Sequence, residues 1–216
     1  MYHFVMTMGM CIIITPPITY DYVDLGLPSG TKWATQNVGA RKPSDYGLYF
    51  QWGDVKGYTA EQVGTGDGKK KFAWGDYKWN PSGNGATFTK YTTIGMTLEL
   101  EDDAANANMG GSWHMPSPTQ IQELLDNTTS TWTTQDDVNG RLFTSKKNPS
   151  KSIFFPAAGR AWDGSAQVIG DGGFVWSSML GAGGVYSGQN LDFGSGYVYL
   201  NYRSRYVGLS VRGVVG

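Results

Sequence analysis

The sequence predicts an α+β domain, and three of its features do so. Glycine occurs 31 times in 216 residues while only 16% of the residues are charged, a bias toward short strands and tight turns over long solvated helices. Aromatic residues make up 14% of the chain, with Trp, Tyr and Thr grouped in short stretches that suit pleated, half-buried surfaces. Helical patterning is confined to two short stretches in the middle, and the second half is strand-rich. That distribution implies two short helices set beside mixed or antiparallel sheets, joined by long irregular loops.

Taken in order, the chain begins with MYHFVMTMGMCIIITPP. This stretch has the apolar length of a signal h-region, but no Lys or Arg precedes it. Cys11 follows Met-Gly-Met, where a lipoprotein signal places a small residue directly before its cysteine. Processing or lipidation, an unconventional leader, and a first strand ended by Pro16-Pro17 are the open readings. Residues 1–19 are therefore set apart as an extension, and residues 20–216 as the domain. Cys11 is the only cysteine, which leaves no intrachain disulfide or thiolate metal cluster. Beside apolar residues it reads as a buried thiol.

YDYVDLGLPSGTKWATQNVGA (20–40) reads as a strand, a Pro-Ser-Gly turn and a second strand. Lys56 to Gly85 is polar and Gly-rich, and reads as a long surface loop or irregular hairpin whose triple lysine is a solvated tip. LELEDDAANANMGG (98–111) predicts a short helix, with acidic residues at its positive end and Gly110-Gly111 as its stop. PSPTQIQELLDN carries the clearest helix signal: Ser117 caps, Pro118 takes the first helical position and Gln120 closes a capping box. Ile121, Leu124 and Leu125 then face the core. TWTTQDDVNGRLFTSKK predicts a hairpin turning at Asn139-Gly140. SIFFPAAGRAWDG reads as a buried strand broken by Pro156, and Val207–Val214 as an apolar-alternating strand.

Bulk properties exclude two classes of partner. A net charge of −1 does not suit a nucleic-acid surface, and no apolar run approaches the ~20 residues of a membrane span. Catalytic sets are equally thin. His3 lies in the extension, and His114, flanked by Trp113 and Met115, reads as a packing or hydrogen-bonding residue; neither makes a credible triad or zinc site. Glu99, Glu101, Asp102 and Asp103 could suggest calcium or paired catalytic carboxylates, but they are nearly contiguous at a helix start, where the dipole already favours them. GTGDG (64–68) lacks the Lys-Ser ending and strand–helix context of a phosphate cradle.

The last third has its own composition. From Ser152 to Gly216 there is no lysine and no glutamate, and nearly half of the glycines fall there. Charge is carried by Arg160, Arg203, Arg205 and Arg212 against Asp163, Asp171 and Asp192. Interfaces deplete Lys and Glu and enrich Tyr, Trp and Arg, and antibody-like paratopes favour Tyr, Ser, Gly and Asn. If Val198 and Leu200 face the core, alternation turns Tyr197, Tyr199 and Asn201 outward. The following NYRSRY has no apolar partner set and reads as an exposed loop.

Several stretches carry a family resemblance: VDLGLPSGTKWATQNVGA, DYGLYFQWGD, LELEDDAA, GGSWHMPSPTQIQELLDN, SIFFPAAG, VWSS and RYVGLSVRGV. In order and spacing they resemble the Fibrobacter succinogenes major paralogous domain family of gut-bacterial and phage proteins, over about residues 22–214. That resemblance implies a C-type lectin-like fold, related to formylglycine-generating-enzyme-like domains and to the variable proteins of diversity-generating retroelements. It implies that the N- and C-terminal strands pair and that Trp176–Ser178 is a scaffold motif. It also implies variable positions just before the closing strand, where adenine-directed mutagenesis of Asn codons yields mainly Asn, Tyr, Ser, Asp, Gly and Arg; Met179 to Tyr206 is rich in that set. The chain departs from the family in lacking cysteines near Gln36 and Gly213. It also lacks the reactive cysteines of formylglycine-generating enzymes and the calcium-dependent sugar motifs of animal lectins, so neither activity carries over.

The expectation is a non-enzymatic ligand-binding protein, of receptor-recognition or adhesin type, on a phage tail or bacterial surface. Its macromolecular ligand would be a protein or glycan on a cell surface, with no cofactor, metal or catalytic residue involved. The predicted contacts are Met179, Gly181, Tyr186, Asp192, Gly194, Tyr197, Tyr199, Asn201, Tyr202, Arg203, Ser204 and Tyr206. Two alternatives belong to other classes. One is a carbohydrate-active or metal-dependent surface enzyme, which requires Glu101 and Asp103 to line a concave pocket. The other is a structural surface module without a dedicated ligand.

Overall fold

The computed structural model describes residues 3–7, 10–14 and 16–216, with side chains from Pro16 onward. The readings of Cys11 as a buried thiol and of His3 concern side chains outside the described residues. Strands β1 (His3–Thr7) and β2 (Met10–Ile14) pair antiparallel, His3 opposite Ile14. After the Pro pair the chain is tied to the body: Arg41 donates from both terminal nitrogens to the Pro16 carbonyl at 3.2 Å, and Gln36 Nε2 donates to Thr19 at 3.3 Å.

Strands β3 (Tyr22–Val23) and β4 (Lys32–Ala34) flank the predicted Pro-Ser-Gly turn, in which Gly30 takes a φ of 81° and donates to the Leu27 carbonyl. Between β4 and the helices the backbone forms only isolated bridges and short 3₁₀ turns. This irregular region nevertheless supplies Phe50, Trp52, Phe72, Tyr77, Trp79 and Tyr91 to the interior. The surface-loop reading of Lys56 to Gly85 is therefore corrected. Aromatics delivered by turns at uneven spacing leave no periodic signal. Lys69 and Lys71 are exposed, but Lys70 folds back over the Tyr58 ring, 5.7 Å from its centroid, and donates to the Asp76 carbonyl at 2.9 Å.

Helix α1 (Ala104–Met109) starts where Asp103 accepts from the Asn106 N–H at 2.9 Å, and it ends at Gly110, whose φ is 73°. Helix α2 (Pro118–Asn127) has the predicted capping box, with Ser117 and Gln120 bonded reciprocally. It buries Ile121 and Leu124 completely while Leu125 is half-buried, each buried side chain stabilising by roughly 1.5–3 kcal/mol.

Strands β5 (Thr128–Gln135), β6 (Val138–Ser145) and β7 (Ser152–Pro156) form an antiparallel sheet. The β5–β6 turn lies at Asp136-Asp137, both at positive φ (50° and 62°), and not at Asn139-Gly140. Gly140 sits inside β6, where a side chain would run into the Phe155 carbonyl and the Phe154 ring. Its glycine answers a packing need, and aspartate tolerates the left-handed turn.

Hairpin β8 (Arg160–Trp162) and β9 (Ser165–Gln167) precedes a three-stranded antiparallel sheet of β10 (Gly172–Leu180), β11 (Ser187–Gly194) and β12 (Val198–Ser204). Helix α2 packs on one face of that sheet. Strand β12 runs through the segment read as a loop: Tyr202 stands opposite Gln189 and Ser204 opposite Ser187. Backbone pairing holds this edge strand although its side chains are mostly polar. The chain then zigzags between sheets, bridging Gly208 to Ala161, Leu209 to Phe50 and Ser210 to Val175. Only β13 (Val214–Val215) of the expected closing strand is regular; it pairs with β4, Val214 opposite Trp33. Three aromatic cores result, the first around Trp52, Trp79 and Trp176, the second around Trp33, Phe143, Phe155 and Phe193, and a smaller third around Tyr49 and Phe72. Among the described residues, no helix is long and apolar enough to cross a membrane.

Candidate recognition face

The site grows from the β11–β12 edge. Val198 and Leu200 pack toward the second core, so Tyr197, Tyr199, Asn201 and Arg203 fall on the opposite face. Tyr197 and Tyr199 sit ring against ring at 5.4 Å, 41% and 47% exposed. Tyr202, also 47% exposed, alternates onto the other side of β12, and Tyr186, 50% exposed, directly precedes β11, so exposed tyrosines flank both sides of this edge.

Three of the predicted contacts lie beneath these tyrosines. Gly181 and Gly194 are buried, as is Asp192 at 2% exposure, so none offers area to a ligand. A side chain on Gly181 would meet the Tyr202 ring at 2.5 Å, and one on Gly194 would meet the Tyr197 ring at 2.7 Å. These glycines are seats that let the rings lie flat on the backbone. Asp192 Oδ2 accepts from Arg203 at 2.7 Å and from Asn201 at 2.9 Å, and so positions both. Met179 is half-buried, and its backbone bridges Thr97. Tyr206 is half-buried too: its ring packs at a tilt against Trp74, centroids 4.6 Å apart, and its hydroxyl accepts from Trp162 Nε1 at 2.9 Å.

The largest correction concerns Arg205, which is fully buried. Its guanidinium donates to Tyr77 Oη at 2.7 Å and to the carbonyls of Tyr91, Val185 and Lys90 at 3.0–3.1 Å. Phe88 lies 4.5 Å from it and Trp52 5.1 Å. Burial pushes its pKa down, and burial pushes that of the Tyr77 phenol up. Arg212 is buried likewise, its donors taken by Asn37, Ala34 and Phe154. Both are framework.

Two residues that sequence reasoning missed complete the site. Arg160 and Trp162 of β8, with Tyr202, Arg203, Ser204, Tyr206 and Val207, line a concavity of about 300 Å³. Arg160 lies 5.3 Å from the Trp162 ring and 5.9 Å from Phe174; Arg203 lies 4.4 Å from Phe174. The guanidinium of Arg160 makes no hydrogen bond or ion pair among the described residues, and the Nε atoms of both arginines are buried without a partner. Burial, and then the neighbouring Arg203 cation, draws the Arg160 pKa down, while Asp192 opposes the shift. The local balance is two cations to one carboxylate. Arg-Ala-Trp between Gly159 and Gly164 was the available signal, but only the cross-sheet pairing brings it to β12.

The acidic cluster is differently organised. Glu99, Glu101 and Asp102 converge on Lys90 Nζ at 2.6, 2.9 and 2.6 Å, and Lys78 holds the other Asp102 oxygen at 2.9 Å. An ammonium group fills the place a cation would take. Asp103 is buried, capping α1 and accepting from the Met115 N–H at 2.8 Å, while Glu101 is exposed. Burial raises the Asp103 pKa against the backbone N–H groups that lower it. His114 Nδ1 lies 3.1 Å from the Ser112 carbonyl oxygen, and its backbone pairs with Val214.

Comparison of the chain with protein-family models, with curated proteins and with solved structures finds no match.

Proposed function

We propose that this chain is a non-enzymatic recognition protein whose β12 face binds a macromolecule on a cell surface. The observation that carries the proposal is the group of Tyr186, Tyr197, Tyr199 and Tyr202, each 41–50% exposed, on and beside an edge held by continuous pairing of β12 with β11. Rigid exposed tyrosines give large contact area at low entropic cost, and glycine seats under two of them favour one orientation. A C-type lectin-like frame is part of the reading; the pairing of β13 with β4 and the buried Trp176–Ser178 motif support it. The resemblance adds display on a phage tail or bacterial surface, and diversification of Met179 to Tyr206 by a retroelement.

The enzyme reading loses support because Glu101 and Asp103 have separate structural roles. Binding is tested by labelling a panel of bacterial cell types with the fluorescently tagged protein and with its Tyr197→Ala/Tyr199→Ala variant, the fold being checked by thermal melting. The wild type should label at least one cell type, and the folded variant should lose roughly tenfold or more of that signal. Equal labelling by the folded variant refutes the site.

A further inference from the structure

We propose that the concavity between β8 and the end of β12 binds one carboxylated sugar ring of an acidic glycan. Arg160 would take the carboxylate, and the Trp162 indole would take the ring face. The inference rests on the reading of this surface as a recognition face and names its ligand chemistry.

Four observations converge on it. Arg160 is a half-buried cation with the Trp162 and Phe174 rings beside it but no hydrogen-bond or ion-pair partner among the described residues, and leaving a guanidinium in that state is costly unless an anion completes it. Arg203 is already matched by Asp192 at 2.7 Å, which leaves one net positive charge and suits a monoanion. The volume of about 300 Å³ is at the lower end of small-ligand sites, roomy for a lone carboxylate and suited to a six-membered ring carrying one. Trp162 is 38% exposed, with its N–H already donated to Tyr206 and Arg160 over the ring, so the surface it leaves free is apolar indole, which the C–H side of a sugar ring can cover beside the guanidinium. An acidic protein side chain would satisfy the charge and leave the aromatic wall uncovered.

The test uses methyl glucuronide, methyl glucoside and N-acetylglutamate methylamide as probes, with binding read by ligand-observed NMR and by tryptophan fluorescence. Methyl glucuronide should bind at roughly millimolar concentration and at least about tenfold tighter than the glucoside, which lacks only the carboxylate. Arg160→Ala should remove that preference, Arg160→Lys should restore part of it, and Trp162→Ala should weaken both sugars. Equal binding of the two sugars, or an unchanged preference in Arg160→Ala, overturns the proposal. Tighter binding of the glutamate probe overturns it as well, by assigning the pocket to a protein ligand. Tyr22→Ala, an exposed tyrosine outside the site, should leave glucuronide binding intact. Loss of the sugar preference with tyrosine-dependent cell labelling retained sinks only this inference; tyrosine-independent labelling with the sugar preference retained sinks only the recognition reading.

Discussion

Arg205 and Arg160 both sit among aromatic rings, and the difference between them separates frame from site. Arg205 lies within 4.5–5.6 Å of Phe88, Trp52, Tyr77 and Trp79, and its donors reach one phenol and three carbonyls. Arg160 lies 5.3 Å from Trp162 and 5.9 Å from Phe174 and donates to no described residue. The same contrast holds for tyrosine. The hydroxyls of Tyr77 and Tyr91 are bonded inside the first core, whereas Tyr197, Tyr199 and Tyr202 are exposed. Aromatic and guanidinium content alone does not mark a binding surface. Whether the polar atoms are already satisfied by the chain itself does.

The contrast predicts opposite responses to truncation. Arg205→Ala should be the most damaging single change, costing about 4 kcal/mol or more, because it opens a cavity and strands the buried Tyr91 carbonyl together with the part-buried carbonyls of Val185 and Lys90. A urea-unfolding loss below about 1 kcal/mol would contradict the framework role. The segment that holds Arg205 is itself anchored by Asp102. Burial alone would raise that carboxyl's pKa, but hydrogen bonds from Lys90, Lys78 and Tyr91 hold it below the usual range. A carboxyl depressed in the fold stabilises it above the unfolded value of about 3.9 and ceases to as the pH falls through the folded value. Stability should therefore decline as the pH is taken below about 4. Asp102→Asn should cost about 2 kcal/mol at neutral pH and flatten that acid limb. An unchanged limb would assign it to other carboxylates.

On the recognition face the effects on stability should be small. Gly181→Ala sets a methyl group against the Tyr202 ring; it should cost under about 1 kcal/mol of stability while lowering cell labelling, since the ring must leave its seat. Arg160→Ala, which removes a side chain with no partner, should change stability by about 0.5 kcal/mol or less. A large loss there would mean that Arg160 belongs to the frame.

Much of the scaffold was legible because local chemistry determined it. Ser117, Pro118 and Gln120 announce α2, and Asp103 and Gly110 bound α1, from neighbours within one turn. The outward set Tyr197, Tyr199 and Asn201 followed from alternation against Val198 and Leu200. What failed depended on distant partners. Asn139-Gly140 looks like a turn, but Gly140 is required by Phe154 and Phe155 from the next strand. Arg205 looks like surface, but Tyr77 and Tyr91, more than 100 residues away, bury it. Arg160 and Trp162 escaped notice because β8 meets β12 only through tertiary folding.

The central claim, that tyrosines on the β12 edge are open to solvent while those of the cores are sealed, is tested most directly by nitrating the folded protein and mapping modified tyrosines by mass spectrometry. Tyr197, Tyr199, Tyr202 and Tyr186 should react as readily as Tyr22, which is 53% exposed and outside the site, while Tyr49, Tyr77 and Tyr91, each at 3% or less, should not. Unreactive rings along β12, or equal reaction at Tyr77 and Tyr91 in the native state, would contradict the account.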